Sequence, residues 1–386
     1  MKQPLFLQTL QLNPDPDVID LGAGQPEAAL LPLDVMRRAA HIRLAQDDPS
    51  LLQYGAEQGD GYFRFALAGL LSTGYGIPVE PDNLFITCGA SQGLDLLTTL
   101  LARPGETVLV EEPSYFLALR ILADHHCHIV GVAMDAGGVD LDALQELARR
   151  HRPKFFYTIP TFQNPTGITL DLERRRRLVE LSRELDFTVV ADEVYHLLSF
   201  DAPPPGPLGG YCDDGYVISL GSFSKILAPG LRLGWIQASR EMIERLTRCG
   251  LLDSSGGLNP FTSALVRVVI EEGWQQQHID KLRVVYRDRA AAMGRALHRE
   301  LDGAARFDEP QGGYFYWLRL AGEIDTLALE ATATQHKVGY RAGPRFSSRA
   351  GLRNCLRISF AYYDIPELEE GVARLARLLK SDAATT

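Results

Sequence analysis

The pattern between Asn83 and Ala238 constrains the fold most, because short apolar runs alternate there with amphipathic segments. The apolar runs predict strands, and they read LFIT, TVLVEE, HIVGVAMD, KFFYTIP, FTVVAD, YVISLGS and LGWIQA. Segments with helical character, such as LDLLTTLLA and Leu141–Arg150, lie between them. Strands that alternate with helices along a chain are typical of a mostly parallel sheet covered by helices. We therefore predict an α/β protein.

Length and charge narrow the class further. The chain has 386 residues, of which 46% are hydrophobic and 23% charged, which allows a sizeable core and two domains. The net charge of −10 argues against a nucleic-acid partner. One basic run, Arg174–Arg177, follows acidic residues at a predicted helix start. We interpret this run as a solvated helical face.

The cysteines and the hydropathy of the chain exclude several other classes. The five cysteines are scattered and include no C-x-x-C pair, so neither a disulfide framework nor a metal site is indicated. The first 17 residues hold no apolar run long enough for a signal peptide. No stretch of about 18 apolar residues suggests a membrane span. The sequence thus predicts a cytoplasmic protein without a membrane partner.

The stretch with the most chemical content is Ser219–Trp235, which reads SLGSFSKILAPGLRLGW. A lysine that forms a Schiff base, as Lys225 would, must lose its proton, which its usual pKa of about 10.4 opposes in water. Ser222 can donate a hydrogen bond to an anion, and Arg232 adds a positive charge that suits a phosphate. Pro229-Gly230 turns the chain so that Arg232 returns toward the lysine. Together these residue types indicate a site for pyridoxal 5′-phosphate.

This stretch resembles the cofactor-lysine signature of class I and II aminotransferases, which are fold-type-I pyridoxal-phosphate enzymes. The resemblance is carried by S-x-S-K and the following P-G-x-R-x-G-W. The alternative is a surface lysine in a loop rich in serine and glycine. Further motifs, in the family's order along the chain, favour the family over this alternative.

An upstream turn resembles the family's phosphate-binding turn T-x-G-S-Q-Q. Here it reads TCGASQG, with Ala90 and Ser91 as departures from the family pattern. A turn that contains glycine and leads into a helix presents free backbone amides and the positive end of the helix dipole to an anion. Because backbone amides make this contact, Gly89, Ala90 and Ser91 are predicted to bind the cofactor.

Two strand ends carry side chains that suit the pyridine ring of the cofactor. Asn164, in QNPTG, resembles the asparagine that donates to the phenolate oxygen O3′, and the adjacent proline and glycine fix its turn. Asp192 ends a buried strand, where a carboxylate can pair with the pyridine nitrogen and keep it protonated. Tyr195 could share O3′ with Asn164. A lone strand-end aspartate is more often structural, but the order and spacing of Asn164, Asp192 and Lys225 favour the functional role.

The resemblance implies four more site residues. Tyr54 would reach the cofactor phosphate of a neighbouring subunit, and Tyr115, in EEPSY, would stack on the pyridine ring. Gly24, in LGAGQPE, would line the substrate mouth. Arg357, in CLRIS, would grip the substrate α-carboxylate with two hydrogen bonds beside Asn164. Without the resemblance, the tyrosines are ordinary packing residues, Gly24 lies in a plain loop, and Arg357 pairs with a structural carboxylate.

The resemblance extends from about Val18 to the last helix and rests on six ordered motifs. It implies a large domain, residues 46–290, with a mostly parallel sheet of the seven-stranded type. A smaller α/β domain would be formed by both chain ends, residues 1–45 and 291–386. The family also implies a homodimer with shared active sites.

The segments YTIPTFQNPTG and GSFSKILAPGLRLGW are most similar to the subgroup of 2-aminoadipate and kynurenine aminotransferases. This similarity implies transfer of an amino group from an L-amino acid to a 2-oxo acid such as 2-oxoglutarate, with Lys225, Asp192 and Tyr195 as catalytic residues. A pyridoxal-phosphate lyase or decarboxylase on the same scaffold is the alternative. The subgroup also supplies effector domains of transcription regulators, but a resemblance that begins by about Val18 argues against a preceding DNA-binding domain.

The substrate mouth offers few cations for a second substrate carboxylate. LGAGQPEAALLP contains no arginine or lysine, and the nearby cations are Arg341 and Arg345 in RAGPR. The segment places Glu27 there instead, and the apolar and aromatic residues at the mouth are Ala28–Leu31, Tyr115, Tyr314 and Phe346. An unpaired buried charge costs several kcal/mol. We therefore predict turnover of leucine-, methionine- or aromatic-type donors, with 2-oxoglutarate accepted through Arg357 and one adaptable arginine.

Overall fold

The computed structural model describes residues 10–11 and 15–383. Three parts of the predicted small domain, residues 1–9, 12–14 and 384–386, lie outside the described residues. Within the described ranges, no helix combines the length and apolar character needed to cross a bilayer.

Strands and helices follow one another in the order that the apolar runs predict. Up to residue 301 the elements are β1 (Ile19–Asp20), α1 (Leu33–Leu44), α2 (Gly61–Tyr75), β2 (Leu84–Thr87), α3 (Ala90–Leu101), β3 (Thr107–Glu112), α4 (Phe116–Asp124), β4 (His128–Asp135), β5 (Gly138–Val139), α5 (Leu141–His151), β6 (Phe155–Thr158), α6 (Leu172–Leu185), β7 (Thr188–Asp192), β8 (Val217–Ser222), β9 (Gly234–Gln237), α7 (Arg240–Thr247), α8 (Gly250–Ser255), α9 (Pro260–Glu271) and α10 (Trp274–Leu301). The later elements are β10 (Ala305–Arg306), β11 (Phe315–Leu320), α11 (Thr326–Ala333), β12 (Val338–Gly339), β13 (Arg341–Ala342), β14 (Cys355–Ser359) and α12 (Ile365–Ala383).

The large sheet has the strand order β2-β9-β8-β7-β6-β3-β4-β5. Strands β8, β7, β6, β3 and β4 are parallel neighbours, whereas β9 pairs antiparallel with both β8 and the edge strand β2. Strands β2 and β6 are buried along their whole length, as expected for a sheet covered by helices on both faces. The predicted seven strands are therefore present, and β5 adds a two-residue antiparallel strand beside β4.

A second, antiparallel sheet has the order β10-β11-β14-β13, and β1 pairs with β12 beside it. Helix α10 contacts α12 and passes from the large sheet to this one, so the predicted boundary at residue 290 falls inside a continuous helix. Helix α1, from the predicted small domain, packs on α9, and Arg38 lies 4.2 Å above the ring of Trp274. The domain limits stay a prediction.

Helix α6 corrects the interpretation of the arginine run. The interpretation as a solvated face is wrong for Arg175, whose side chain is fully buried. The helical period of 3.6 places position 175 on the same face as the buried Leu178 and Ser182. The guanidinium of Arg175 donates to acceptors from two loops: the carbonyls of Pro160 and Leu170 and the hydroxyl of Thr161 between β6 and α6, and the carbonyl of Gly206 between β7 and β8. These acceptors satisfy the buried charge, so this arginine ties the loops to the helix.

Candidate active site

Parallel strands bring most of the predicted residues to one edge of the large sheet. Asp192 and Ser222 end the neighbouring strands β7 and β8, and Asn164 lies in the loop after β6. The carboxyl ends of parallel strands share an edge, which is where open α/β sheets bind ligands. Lys225 follows β8 by three residues and lies at the same edge.

Lys225 is partly buried between aromatic rings and a glycine-rich loop. Its Nζ donates to the carbonyl of Gly24 at 2.9 Å and lies 5.2 Å from the ring centre of Tyr314 and 6.0 Å from that of Tyr195. Burial and, after it, the positive charge of Arg357 lower the pKa of this amine to about 8, although Asp192 opposes the shift. About a tenth of the amine is therefore neutral and nucleophilic at pH 7.

Asp192 has one oxygen satisfied and one left without a partner. The Tyr157 hydroxyl donates to Oδ2 at 2.8 Å, whereas Oδ1 is buried and accepts no hydrogen bond from the described residues. Burial raises the pKa of this carboxyl to about 6, although the hydrogen bond from Tyr157 and the charge of Lys225 act in the opposite direction. A buried acceptor without a partner is costly unless a ligand supplies a donor, and a protonated ring nitrogen is such a donor.

The predicted phosphate site is formed by the start of α3 and by the chain around Arg232. Gly89 precedes the first helical residue with φ 92°, a conformation that favours glycine. A Cβ at Gly89 would lie 2.9 Å from Nη2 of Arg232, which itself donates to the Cys88 carbonyl at 3.0 Å. The Ser222 hydroxyl accepts from the Ser224 amide at 3.1 Å. The first amides of α3, at Ala90 and Ser91, lack intrahelical acceptors and are available to an anion.

Arg357 lies on β14 and is buried, with no carboxylate partner in the part of the chain that the structure describes. Its Nη1 donates to Oδ1 of Asn164 at 2.8 Å and its Nη2 to the Gly22 carbonyl at 3.0 Å. Its Nε is buried and has no hydrogen-bond partner among the described residues. The guanidinium lies 4.0 Å above the Phe315 ring and 5.1 Å from that of Phe346. Burial lowers the pKa of Arg357 to about 10, so an anionic ligand would stabilise the charged form of its guanidinium.

Both other cations that the sequence places at the mouth are held in ion pairs. Arg341 donates to the two carboxylate oxygens of Asp20 at 3.1 and 2.9 Å. Arg345 pairs with Glu330 at 2.6 Å. Arg341 lies opposite Arg357 on the paired strands β13 and β14. Of these three mouth arginines, all within the described ranges, only Arg357 has no carboxylate partner.

The remaining predicted residues divide into two groups. Tyr115 is half-buried at the start of α4, and burial raises its pKa to about 12. Tyr195 packs with ring centres 5.4 Å from Tyr314 and 5.9 Å from Phe315. Gly24 contacts Lys225 through its carbonyl. Tyr54, in contrast, is 85% exposed, and the single chain does not bring it into this cluster.

Sequence reasoning missed the residues that support the site. Tyr157, which donates to Asp192, was read only as part of an apolar strand. The sequence feature that could have indicated this role is its hydroxyl group on β6, the strand beside the one that ends at Asp192. Tyr314, expected to line the pocket, donates its hydroxyl to the Lys225 carbonyl at 3.1 Å and so also supports the lysine loop. The described residues include no cluster of histidine, cysteine and carboxylate groups that could hold a metal ion.

On a mostly parallel sheet of this order, a lysine that follows the strand beside Asp192 defines a fold-type-I pyridoxal-phosphate enzyme. Residues 16–375 match the family model described as aminotransferase class I and II, so the chain belongs to that family. The predicted family and fold are confirmed. The protein is a pyridoxal-phosphate-dependent aminotransferase. The Asp192 oxygen that has no partner among the described residues and the partly neutral Lys225 fit this cofactor.

The similar proteins cover nearly the whole chain. Aromatic-amino-acid aminotransferase 1 of Thermococcus litoralis is 33% identical and matches 99% of this chain and 93% of its own length. The 2-aminoadipate transaminase of Thermus thermophilus is 34% identical over 97% of this chain and 93% of its own length. The crystal structure of an alpha-aminoadipate aminotransferase from Thermus thermophilus, in complex with N-(5′-phosphopyridoxyl)-L-leucine, superimposes with a TM-score of 0.88 at 33% identity, covering 96% of this chain and 94% of that one.

Proposed function

We propose that this aminotransferase moves the amino group of an apolar or aromatic L-amino acid to a 2-oxo acid such as 2-oxoglutarate. The observation that carries the proposal is the pairing of both mouth arginines, Arg341 with Asp20 and Arg345 with Glu330. A second substrate carboxylate would have to break one of these ion pairs, whereas an apolar side chain would not. Of the similar proteins, one is named for aromatic amino acids and two for 2-aminoadipate, one of these in complex with a leucine adduct. The ion pairs, and not these names, therefore favour an apolar or aromatic donor over a 2-aminoadipate-like one.

The cofactor-binding roles follow from the site. Pyridoxal phosphate, when bound, supplies an aldehyde that bonds to amines and a ring that accepts electrons. Lys225 would bond to the aldehyde, and Asp192 would hold the proton of the ring nitrogen through its partnerless Oδ1. Asn164 and Tyr195 would face the phenolate oxygen, and Tyr115 would pack on the ring. The phosphate would be held by the amides of residues 89–91 and by the side chains of Ser222 and Arg232.

The proton transfer is assigned to Lys225. Its Nζ, when free, would take the proton from the substrate Cα, because its lowered pKa leaves part of the amine unprotonated. Arg357 holds the substrate carboxylate and so orients the Cα–H bond toward the amine. The Gly24 carbonyl, which accepts from Nζ, lies where it can keep the amine directed at the reacting carbon.

We also propose a homodimer with shared active sites. Large side chains are exposed around Tyr54, with Leu52 at 76%, Tyr62 at 75% and Phe65 at 73%. Contiguous exposed apolar side chains favour a protein contact, and two-fold homodimers are the commonest assembly. In such a dimer Tyr54 would reach the phosphate of the neighbouring site, which explains its position outside the cluster of its own chain.

Steady-state kinetics with matched donors tests the substrate proposal. We expect leucine, methionine and phenylalanine to give kcat/KM values at least about tenfold above those of aspartate and 2-aminoadipate, because a buried unpaired carboxylate is costly. Each assay is run with and without 2-oxoglutarate. A preference for the dicarboxylic donors would overturn the substrate class. Turnover to an amine or a cleaved product without an oxo acid would instead indicate a lyase or decarboxylase.

A further inference from the structure

A buried polar chain runs beneath the turn that carries Asn164. Glu111, the penultimate residue of β3, accepts from the Thr158 hydroxyl at 2.6 Å, from the Ile159 amide at 3.1 Å and from Nε2 of Gln163 at 3.1 Å. Glu111 and Gln163 are 2% and 1% exposed. All three groups facing the carboxylate are donors, so Glu111 is required as an acceptor.

Gln163 immediately precedes Asn164, and its amide is fully satisfied. Nε2 also donates to the Pro113 carbonyl at 2.8 Å. Oε1 accepts from the amide of Thr166 at 2.8 Å and from its hydroxyl at 2.7 Å. A glutamine amide has two donors and two acceptor positions, and every one is used here. Neither a carboxylate nor an apolar side chain of the same size could make this set of bonds.

These bonds join two segments that face the cofactor. Through Pro113 and Glu111, Gln163 is tied to the end of β3 and to the loop that leads to Tyr115. Through Thr166, it is tied across the turn that presents Asn164 to Arg357. A side chain that fixes both segments sets their relative position.

We propose that Gln163 and Glu111 form a paired positioning unit that holds Asn164 and the Tyr115 loop in register for the cofactor ring. The inference rests on the role proposed above for Asn164. Neither residue contacts the reacting atoms, so both act through their neighbours. Their effect should therefore be seen in the spectrum of the bound cofactor as well as in turnover.

An exchange of the two functional groups tests the pair. In Gln163→Glu two carboxylates face each other, whereas in the double variant Glu111→Gln/Gln163→Glu an amide again donates to a carboxylate. We expect Q163E to shift the spectral titration midpoint of the bound cofactor by about one pH unit and to lower kcat/KM about tenfold. The double variant restores the bond between the two positions but not the bond to the Pro113 carbonyl, so it should recover part of each change. Equal midpoints in the single and double variants would overturn the pairing.

Two further variants keep the result interpretable. If Q163E does not yield folded protein, Gln163→Met takes its place, because methionine keeps the size but removes the bonds. Q163M should also move the midpoint away from the wild-type value. Gln237→Ala is the control, because Gln237 is a buried glutamine that donates to the Gly209 carbonyl and, among the described residues, has no hydrogen bond to the segments that carry Asn164 and Tyr115. It should lower the Tm without moving the midpoint. A wild-type midpoint in Q163M, or an equal shift in Q237A, would overturn the proposal.

Asn164→Ala separates this inference from the proposed function. If N164A leaves the midpoint unchanged, Asn164 does not face the phenolate oxygen, and the role proposed for it fails. If N164A shifts the midpoint but neither Q163E nor Q163M does, only the positioning unit fails.

Discussion

The cofactor side and the substrate mouth of this site are built in different ways. On the cofactor side, Asp192, Ser222 and Lys225 follow neighbouring parallel strands, so the sheet itself brings them together. At the mouth, Arg357 donates to Gly22, a residue 335 positions away in the chain. A local motif can therefore predict a cofactor site, whereas a substrate mouth depends on contacts between the ends of the chain.

The two sides also differ in what they leave unsatisfied. The cofactor side keeps a buried Asp192 oxygen without a partner among the described residues and a lysine with a lowered pKa. At the mouth, Asp20 and Glu330 already neutralise two of the arginines. The cofactor side is therefore prepared for a charged ligand. At the mouth Arg357 is ready for one carboxylate, and a second one, including that of 2-oxoglutarate, has to draw Arg341 or Arg345 out of its ion pair.

The largest effect is expected from Lys225→Ala, because it removes the nucleophile and the proton carrier together. We expect a loss of roughly 10⁴-fold or more in kcat. Single-turnover assays on the purified variant measure it. Lys154→Ala, which removes only a half-exposed lysine paired with Glu106, serves as the control and should keep normal turnover. Wild-type turnover in K225A would show that another lysine does the chemistry.

Asp192→Asn tests the cofactor side by replacing the carboxylate with a neutral group of the same shape. We expect roughly a 100-fold lower kcat, because the ring nitrogen loses the charge that keeps it protonated. The matched control is Asp135→Asn, which removes a surface carboxylate paired with Arg174. If D192N and D135N had equal turnover, the partnerless Oδ1 would have no catalytic meaning.

Arg357→Lys tests the mouth, since lysine keeps the charge but cannot form two parallel hydrogen bonds. We expect kcat/KM to fall roughly 10- to 100-fold, mainly through KM. Steady-state assays with one apolar donor measure the two parameters separately. A change confined to kcat, at unchanged KM, would indicate that Arg357 does not bind the substrate carboxylate.

The pH dependence of cofactor capture tests the shifted pKa of Lys225. Because the pKa is lowered to about 8, the neutral amine should increase as pH rises and then level off above that value. Between pH 7 and pH 9 the capture rate should rise about tenfold, whereas an unshifted lysine would give about 100-fold with no plateau. Absorbance changes on adding pyridoxal phosphate to cofactor-free protein measure the rate. A steady rise through pH 10 would contradict the lowered pKa.

The smallest effect is expected from Asp20→Asn, which releases Arg341 at the mouth. A half-exposed ion pair contributes about 1 kcal/mol, so the KM for 2-aminoadipate should fall by at most about fivefold. The KM for leucine should stay within error, which provides an internal control. An equal change for both donors would show that the ion pair positions the loop instead of competing with the substrate.

The sequence predicted the family and an α/β fold with a mostly parallel sheet, and both are confirmed. The roles of the residues on the cofactor side stay a prediction. Strand TVVAD ends at Asp192 and helix α3 begins at Ala90, as the local patterns indicate. The prediction of a solvated arginine run failed at Arg175, because burial depends on which loops cover the helix. The partners of Arg341 were equally beyond local reasoning, since its position in a turn does not specify the direction of its side chain.

The sequence by itself indicates chemistry within short segments. The motifs S-x-S-K and N-P-T-G and the strand-end aspartate indicate a cofactor site through their spacing and the period of the surrounding secondary structure. Only the tertiary structure decided which charges are free. Asp20 and Arg341 are 321 positions apart and form a bidentate pair. Tyr157 satisfies one Asp192 oxygen and leaves the other without a partner among the described residues. Which charged groups keep a partner depends on burial and on the contacts of distant segments, because these contacts form only when the chain is folded.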